Sequence, residues 1–434
     1  MARVEHDKRD ELELDVEAAQ ARVLDALARL APLEHEWVPL ERAGDRSLAE
    51  SVHARGPLPS APLSIMDGYA LRSGDLRAGE AGQAGPAGEG PRVLALAGES
   101  AAGHPSQATL APGTCVRIST GAQIPLGADA VVAQEDTRRL GDAIEFSALA
   151  RDQVAPGRWI RAIGSDVGEH ELLLAPGSEL GPGELALLAA CGHVELPVFA
   201  RPKVAILASG DELVAIGETP GPGQIISTNT LMLSRQILAA GGRPIDLGRV
   251  ADRPEALRAA MLRALAEADL LVATGGISVG DHDLVLPCLR ELGVELGFRR
   301  VRLRPGRPAT FGLLPRSEPN TNPLPVLALP GNPGSTLVAF ELLARPLLRA
   351  MLGLPRRRWF RRRIELELAR PLEGDRKRDH YVRVQIDDRG LGVPLDRQLS
   401  GALRSIADFD ALAIVPAGRD RTEVGERLQA LLLR

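Results

Sequence analysis

The segment from 269 to 333 constrains the fold more than any other part of the chain. Two short apolar runs typical of buried strands each end in a glycine-containing turn: 270–273 before Thr274-Gly275-Gly276, and 326–329 before Pro330-Gly331-Asn332-Pro333. Apolar residues at helical spacing follow the first turn from Leu284 onward, and a second helix is expected after the second turn. Repetition of strand, glycine turn and helix predicts a parallel sheet whose ligand crevice lies beyond the carboxyl ends of the strands.

Charged residues in the same segment predict what this crevice binds. Five arginines fall between Arg299 and Arg307, and the last two flank Pro305-Gly306. Glycine turns, helix N-termini and guanidinium groups favour anions, and carboxylates in the same loops suit a hard divalent cation. Two alternatives stay open: Asp281 and Asp283 as acids of a first helical turn, and the arginines as a solvated loop. Together these residues predict a metal-dependent site for an anionic, nucleotide-like ligand.

Composition limits the other functions that the chain can have. The 434 residues include 52 basic and 57 acidic side chains, a net charge of −5, which argues against nucleic acid as the main partner. Cys115, Cys191 and Cys288 lie in apolar settings without metal-ligand spacing, so we expect small buried side chains and no disulfide framework. The polar N-terminus and the lack of a long apolar run predict a soluble, cytoplasmic protein without a membrane partner. The arginine-rich run 356–363 is expected to be a solvated face or a subunit contact.

Changes in local pattern divide the chain into four predicted domains. Short strands separated by glycine and proline between residues 92 and 149 are typical of a small β-barrel inserted into the N-terminal part. Alternating strands beyond Pro355 predict a second small β domain. The predicted boundaries are 8–48 with 152–200 for a discontinuous N-terminal α/β domain, 49–151 for the inserted β-barrel, 201–353 for the α/β domain and 354–434 for the C-terminal β domain.

Six motifs, in order along the chain, resemble the molybdopterin molybdenumtransferase family, which includes bacterial MoeA and the E domain of gephyrin. They are SIMDGYALR at 64–72, ISTGAQIPLGADAVVAQED at 118–136, ASGDEL at 208–213, TGGISVGDHD at 274–283, RPGRP at 304–308 and ALPGNPGS at 328–335. The resemblance implies a multidomain α/β plus β fold. Its expected parts are a three-layer, parallel-sheet, molybdopterin-binding α/β domain, an N-terminal mixed domain, an inserted β-barrel and a small C-terminal β-barrel.

The resemblance also implies roles for individual residues. The implied catalytic residues are Asp67, Glu212, Asp283, Arg300 and Arg304, of which Glu212 and Asp283 are the implied Mg²⁺ ligands. The implied substrate-binding residues are Thr120, Arg161, Asp166, Gly275, Gly276, Ser278, Arg307, Pro330, Gly331, Asn332 and Ser335. The chain departs from the family by carrying Arg300, Arg304 and Arg307 where lysine is usual, and Ser165 where an acid is usual.

The implied reaction is the last step of molybdenum cofactor synthesis. Adenylylated molybdopterin binds with Mg²⁺, molybdate enters at the dithiolene, AMP leaves, and the loaded cofactor is released. Asp67 matches a family residue that a partner subunit supplies, which implies a homodimer with shared active sites. Alternatives are a non-catalytic cofactor-binding or scaffold paralogue, a tungstate-using variant, and the related adenylyltransferase, whose fold resembles residues 203–350 only.

Overall fold

A computed structural model of the chain describes residues 13–30, 33–77, 91–276, 284–316 and 322–434. Three residues of the predicted site segment, Ser278, Asp281 and Asp283, lie outside these ranges. Within them, no helix is long and apolar enough to cross a membrane.

Short elements make up the first 200 residues. The helices are α1 (Val16–Asp25), α2 (Ser73–Arg77), α3 (Ala148–Gln153) and α4 (Pro182–Ala190). The strands are β1 (Glu13–Leu14), β2 (His35–Pro39), β3 (Val52–His53), β4 (Leu63–Ser64), β5 (Gly68–Leu71), β6 (Arg92–Ser100), β7 (Thr114–Ile118), β8 (Ala130–Ala133), β9 (Thr137–Leu140), β10 (Ala143–Phe146), β11 (Ile160–Arg161), β12 (Leu172–Leu174) and β13 (Glu195–Phe199).

Strands β5 to β10 form one six-stranded sheet in the order β8-β5-β7-β6-β10-β9. The predicted strands between residues 92 and 149 are confirmed at β6, β7, β8 and β10, whereas β5 and β9 were not predicted. The buried side chains of Leu71, Cys115 and Phe146 pack in one core cluster. Strands β8 and β9 are the two edges of this sheet, and no pairing between them occurs within the described residues. The predicted closed β-barrel is therefore not confirmed. The pairs β2–β13, β3–β12 and β4–β11 join residues before this sheet to residues after it.

Longer elements follow from Lys203 onward. The strands are β14 (Lys203–Ser209), β15 (Leu213–Val214), β16 (Ile225–Ile226), β17 (Arg243–Val250), β18 (Leu270–Thr274), β19 (Glu295–Phe298), β20 (Arg300–Val301), β21 (Leu303–Arg304), β22 (Thr310–Leu314) and β23 (Leu324–Leu329). The helices are α5 (Asn229–Ala239), α6 (Pro254–Glu267), α7 (Val285–Glu291), α8 (Pro333–Ala339) and α9 (Arg345–Met351), with a π-helical segment Phe340–Ala344 joining the last two.

These strands form a six-stranded sheet in the order β17-β14-β18-β23-β22-β19. The first four are parallel, as predicted, but β22 is antiparallel to β23 and β19 is antiparallel to β22. The prediction of an all-parallel sheet was therefore wrong at this edge. The reason is that residues 299–309 join β19 to β22 and residues 315–323 join β22 to β23, and both connections are shorter than the crossover of a dozen or more residues that a parallel pairing needs.

Helices cover both faces of the sheet, which confirms the three-layer arrangement. Alternate residues of β14 face opposite layers: Val204 and Ile206 pack with α5, whereas Ala205 and Leu207 pack with α6. Helix α1 belongs to the first of these layers, because Val16, Ala19 and Val23 share its buried core. The predicted domain boundaries placed this helix in the N-terminal domain, whereas in the structure it packs on the α/β sheet.

The remaining chain forms a second β unit. Its strands are β24 (Arg363–Glu367), β25 (Glu373–Asp375), β26 (Asp379–Ile386), β27 (Gly392–Pro394), β28 (Ala411–Val415), β29 (Arg419–Arg421) and β30 (Arg427–Leu432), and its helix is α10 (Arg404–Ala407). The sheet order is β21-β26-β28-β30-β24, so β21 from the middle of the chain supplies its edge. This pairing places Arg304 beside His380.

Candidate functional site

Three neighbouring parallel strands, β14, β18 and β23, end at one cleft of about 870 Å³, which we call the strand-end cleft. Its lining includes Ser209, Gly210, Glu212, Ser227, Asn229, Asp252, Thr274, Gly275, Gly276, Pro330, Gly331 and Asn332. The sequence predicted a ligand crevice at this edge of the sheet, and the structure has a cleft there.

Glycine is required where the turns after these strands touch. Gly275 has a φ of 88°, and a Cβ on it would lie 2.2 Å from the backbone oxygen of Ser209. A Cβ on Gly331 would lie 3.5 Å from the Cα of Gly275, which is ordinary van der Waals contact. The turns after β14 and β18 therefore pack backbone against backbone, and this leaves their amide groups close to the cleft.

Hydrogen bonds fix the floor of the strand-end cleft. Asn229, at the start of α5, donates from Nδ2 to Thr274 Oγ1 at 3.0 Å and to the Gly331 carbonyl at 2.7 Å. Thr274 Oγ1 donates in turn to the Pro330 carbonyl at 3.2 Å. The buried Oδ1 of Asn229 and the buried Oγ of Ser227 have no partner in the described part of the chain. Two polar oxygens are thus available to a ligand.

Carboxylates stand on one side of the same cleft. Glu212 and Asp252 both line it, and Asp252 accepts a hydrogen bond from Ser209 Oγ. Asp211 is exposed and accepts from the backbone N–H of Asp252 at 3.1 Å, so it positions this loop. Carboxylate and amide oxygens are the ligands that Mg²⁺ prefers in proteins. Within the described residues no group of three or more potential metal ligands occurs, and the predicted ligand Asp283 lies outside them.

A second cleft, of about 770 Å³, opens on the other side of the turn after β23, and we call it the arginine cleft. One wall comes from the α/β unit and one from the C-terminal unit: Arg304, Arg307, Pro330, Asn332 and Ser335 face Glu373, Arg378, His380, Arg397, Gln398 and Ser400. Pro308, Pro330 and Asn332 line both clefts, so the two cavities share a wall.

The two predicted arginines in this cleft already have partners. Arg307 donates from Nε to Glu13 Oε1 at 2.7 Å, a contact that lowers the pKa of the Glu13 carboxyl and raises the pKa of the guanidinium. Arg304 donates from Nη1 to the Gly374 carbonyl at 3.1 Å and lies 4.0 Å from Asp375. Because each guanidinium has five donors, these contacts orient the arginines and leave donors for an anion.

Comparisons with known proteins agree along most of the chain. Three family models match in order: the MoeA N-terminal region (domain I and II) at 14–192, a probable molybdopterin binding domain at 205–350, and the MoeA C-terminal region (domain IV) at 365–433. A protein from Nostoc sp. named molybdopterin molybdenumtransferase is 34% identical over 404 residues, 92% of this chain and 88% of that protein. The chain belongs to the molybdopterin molybdenumtransferase family.

Further relatives support this assignment. The Bacillus subtilis molybdopterin molybdenumtransferase is 33% identical over 407 residues, 92% of this chain and 90% of that protein. The crystal structure of a molybdopterin biosynthesis MoeA protein from Pyrococcus horikoshii OT3 superposes with a TM-score of 0.79 at 26% identity, covering 97% of this chain and 100% of that chain. The chain is therefore a transferase of molybdenum cofactor biosynthesis with the multidomain MoeA fold.

The structure brings together only part of the site that the family resemblance implied. Glu212, Gly275, Gly276 and Gly331 line the strand-end cleft; Arg304, Arg307 and Ser335 line the arginine cleft; Pro330 and Asn332 line both. Arg300, on the short strand β20, lines neither. Ser278 and Asp283 lie outside the described residues.

Four implied residues form a separate group in the N-terminal part. Asp67 accepts from the Thr120 backbone N–H at 2.6 Å and from Thr120 Oγ1 at 3.0 Å, and these bonds lower the pKa of the exposed carboxyl. Arg161 pairs with Asp166 at 2.9 Å. Both pairs flank β4, because Gly121 bonds to Ser64 and β11 pairs with β4. None of the four lines either cleft of the same chain.

Sequence reasoning missed several lining residues. Asp252 could have been considered, because it is an acid two residues after strand β17, in a loop at the carboxyl end of a parallel strand. The C-terminal residues Arg378, His380, Gln398 and Ser400 had no local signal. They reach the arginine cleft through tertiary contacts, among them Asn332 Nδ2 donating to Ser400 Oγ at 3.0 Å and the Gly334 N–H donating to the Ser400 carbonyl at 2.8 Å.

Proposed function

We propose that the protein inserts molybdate into adenylylated molybdopterin with Mg²⁺-dependent release of AMP. The observation that carries this proposal is the shared wall of the two clefts at Pro330 and Asn332. A nucleotide-like ligand in the strand-end cleft would lie next to an oxyanion in the arginine cleft. The reaction requires two such anions side by side, because molybdate must meet the dithiolene of the bound molybdopterin.

The strand-end cleft suits the phosphate-bearing substrate. The turns at Gly275 and Gly331 allow backbone to approach a ligand, because glycine has no Cβ to intervene. Glu212 and Asp252, with Asp283 as the predicted further ligand, would hold Mg²⁺, and the unpartnered Oδ1 of Asn229 is a matching neutral oxygen. Bound Mg²⁺ would neutralise negative charge on the diphosphate.

The arginine cleft suits a tetrahedral oxyanion. Arg304 and Arg307 supply charged donors, and Asn332, Ser335 and Ser400 supply neutral ones. Fixed donors around a charged ligand stabilise it more than water does when little rearrangement is needed. Molybdate and tungstate share charge and shape, so both anions belong in the test.

The N-terminal group of Asp67, Thr120, Arg161 and Asp166 fits a homodimer in which each active site combines two protomers. Its support is the separation of these residues from both clefts of their own chain, together with the tight Asp67–Thr120 contact. A two-fold dimer brings the same patch of each subunit to the other, so two equivalent sites would form. We place the dimer in the cytoplasm, where the three free buried cysteines remain reduced.

The test is AMP release from adenylylated molybdopterin by purified protein with Mg²⁺ and molybdate, tungstate or no oxyanion. We expect release that requires both Mg²⁺ and an oxyanion. Glu212→Gln should lower the rate by at least about tenfold, a loss of roughly 1.4 kcal/mol of transition-state stabilisation. The exposed Glu218→Gln is the matched control and should keep the wild-type rate.

Other outcomes would favour the alternatives. Adenylylation of molybdopterin from ATP would assign the chain to the adenylyltransferase reaction. Tight binding of molybdopterin without AMP release under any oxyanion would assign it to a non-catalytic binding or scaffold role. Release with tungstate alone would identify a tungstate-using variant.

A further inference from the structure

His380 is a buried histidine on the wall of the arginine cleft that the proposed reaction does not yet use. His380 is 4% exposed and lines the cleft. The Nδ1 atom lies 2.7 Å from the Glu373 carbonyl oxygen, which can only accept, so Nδ1 must carry a proton. In the neutral ring the lone pair is therefore on Nε2, which has no hydrogen-bond partner within the described ranges.

The elements around the ring hold it next to Arg304. In the parallel pairing of β21 with β26, Arg304 lies directly beside His380. The two side chains bind successive carbonyls of β25, His380 that of Glu373 and Arg304 that of Gly374. This common anchor fixes the imidazole and the guanidinium at the same end of the cleft.

Burial, together with two neighbouring arginines, keeps the ring neutral in the absence of a ligand. Burial is the main cause that lowers the pKa of His380 to about 4, and the bond to Glu373 opposes it. Arg304 from β21 and Arg383 from the same strand lower it further, whereas Asp375 from β25 raises it. Strand β28 contributes only the apolar Val415 opposite the ring.

An oxyanion in the cleft reverses this balance. A dianion beside Arg304 would face the Nε2 lone pair, which repels it, whereas a protonated Nε2 would donate a charge-assisted hydrogen bond. We propose that His380 takes up a proton when a dianion binds beside Arg304, so that anion binding in the arginine cleft is linked to the uptake of one proton. This inference rests on the proposed function in assigning the cleft to an oxyanion.

The pH dependence follows from linkage. Bound anion raises the pKa of His380 above its value of about 4 in the free protein, and the affinity for the dianion rises as pH falls between these two pKa values. The limit is about tenfold in the dissociation constant for each pH unit in that window. Above the pKa of the bound state the dissociation constant does not depend on this group.

Sulfate is the probe, because it remains a dianion across the working range of about pH 5 to 8. Calorimetric titration in two buffers with different ionisation enthalpies measures the protons taken up. The variants are His380→Asn, whose amide can keep the bond to the Glu373 carbonyl, His380→Gln, whose amide replaces Nε2 with a neutral donor, and Arg304→Ala. The exposed His170→Asn is the control.

We expect uptake of close to one proton for wild type and His170→Asn at about pH 5.5, and close to none for either His380 variant. Lowering the pH from about 7.5 to about 5.5 should tighten sulfate binding at least about fivefold in wild type and less than about twofold in the variants. Equal proton uptake in wild type and His380→Asn would overturn the inference. So would sulfate binding that Arg304→Ala leaves unchanged, because the anion would then lie elsewhere.

The AMP-release test keeps the two proposals separate. Molybdate-dependent AMP release together with unaltered proton uptake in His380→Asn would overturn the role of His380 and leave the proposed reaction standing. Loss of uptake in His380→Asn without any AMP release from adenylylated molybdopterin would overturn the reaction and leave the proton-linked anion cleft standing.

Discussion

Arg307 lines the arginine cleft while it is paired with Glu13, so its predicted role in anion binding has to take this partner into account. Its partner Glu13 lies on β1, which pairs in parallel with β20, so the backbone holds the carboxylate in place. The Glu13 side chain is 31% exposed and the Arg307 side chain is 47% exposed. An exposed ion pair of this kind contributes about 0–1 kcal/mol to stability. On the proposed function, an incoming oxyanion would compete with Glu13 for the guanidinium.

Removing this competitor should strengthen oxyanion binding. Glu13→Gln keeps the size of the side chain and removes its charge, so we expect the KM for molybdate in AMP release to fall about two- to fivefold with little change in kcat. Glu295→Gln, which loses an exposed pair with Arg29 at 2.6 Å away from both clefts, is the control. A KM that stays the same or rises would show that Glu13 does not oppose the anion.

Gly275 combines a positive φ with a close backbone contact, so its replacement should be poorly tolerated. Gly275→Ala places a methyl group 2.2 Å from the Ser209 oxygen at a φ of 88°, and we expect a loss of about 2–5 kcal/mol in the free energy of unfolding. Gly217→Ala tests conformation alone, since Gly217 has a φ of 94° and open space around it, and it should cost about 1–2 kcal/mol. Urea unfolding measures both. Equal losses of unfolding free energy in the two variants would show that the turn at Gly275 shifts enough to relieve the contact with Ser209.

Among the elements, the helix from α8 through α9 gathers an unusual set of charges. Glu341, in its π-helical segment, has a 3% exposed side chain and pairs with Arg361 at 2.8 Å. Gln236 also donates to it at 2.9 Å. Arg345 lies within 3.8 Å, and burial is the main cause that lowers the pKa of its guanidinium to about 10. The predicted solvated face at 356–363 is exposed at its start, but Arg361 turns inward.

Glu341 should be important for stability because two arginines depend on it. Glu341→Ala leaves Arg361 and the buried Arg345 without this counter-charge, and we expect the free energy of unfolding to fall by about 3–5 kcal/mol. Glu367→Ala removes an exposed pair with Arg427 and should cost about 0–1 kcal/mol. Thermal unfolding of both variants decides the matter; similar melting temperatures would show that the cluster contributes little.

Elements that a local residue pattern determines could be predicted from the sequence, and elements that depend on contacts between distant segments could not. Strands β14 and β18 could be predicted because continuous apolar runs bury both faces of a parallel strand. The glycine turns could be predicted because the positive φ of Gly275 suits no other residue well. Two features could not: the pairing of β21 with β26 and the packing of α1 on the sheet. Both depend on contacts between distant segments, which leave no periodic pattern in either segment.

For the whole molecule, the separation of Asp67 from the clefts predicts complementation between subunits. In a dimer with shared sites, co-expressed Asp67→Ala and Glu212→Gln chains give heterodimers with one intact site, so activity should recover to roughly a quarter of wild type. Asp67→Ala with Thr120→Ala is the control, because both changes affect the same half-site and should stay inactive. A monomer in light scattering, or no recovery, would contradict the shared site.

The contacts of Ser400 with Asn332 and Gly334 have a consequence for modularity. One side of the arginine cleft consists of C-terminal residues, and these hydrogen bonds dock that side onto the turn that also closes the strand-end cleft. On the proposed function, a protein that has the α/β unit alone would keep the nucleotide compartment but would present Arg304 and Arg307 to open solvent. The C-terminal unit would then supply the compartment for the second substrate, and a chain truncated after residue 353, which keeps α1 in the core of the sheet, would be a one-substrate protein.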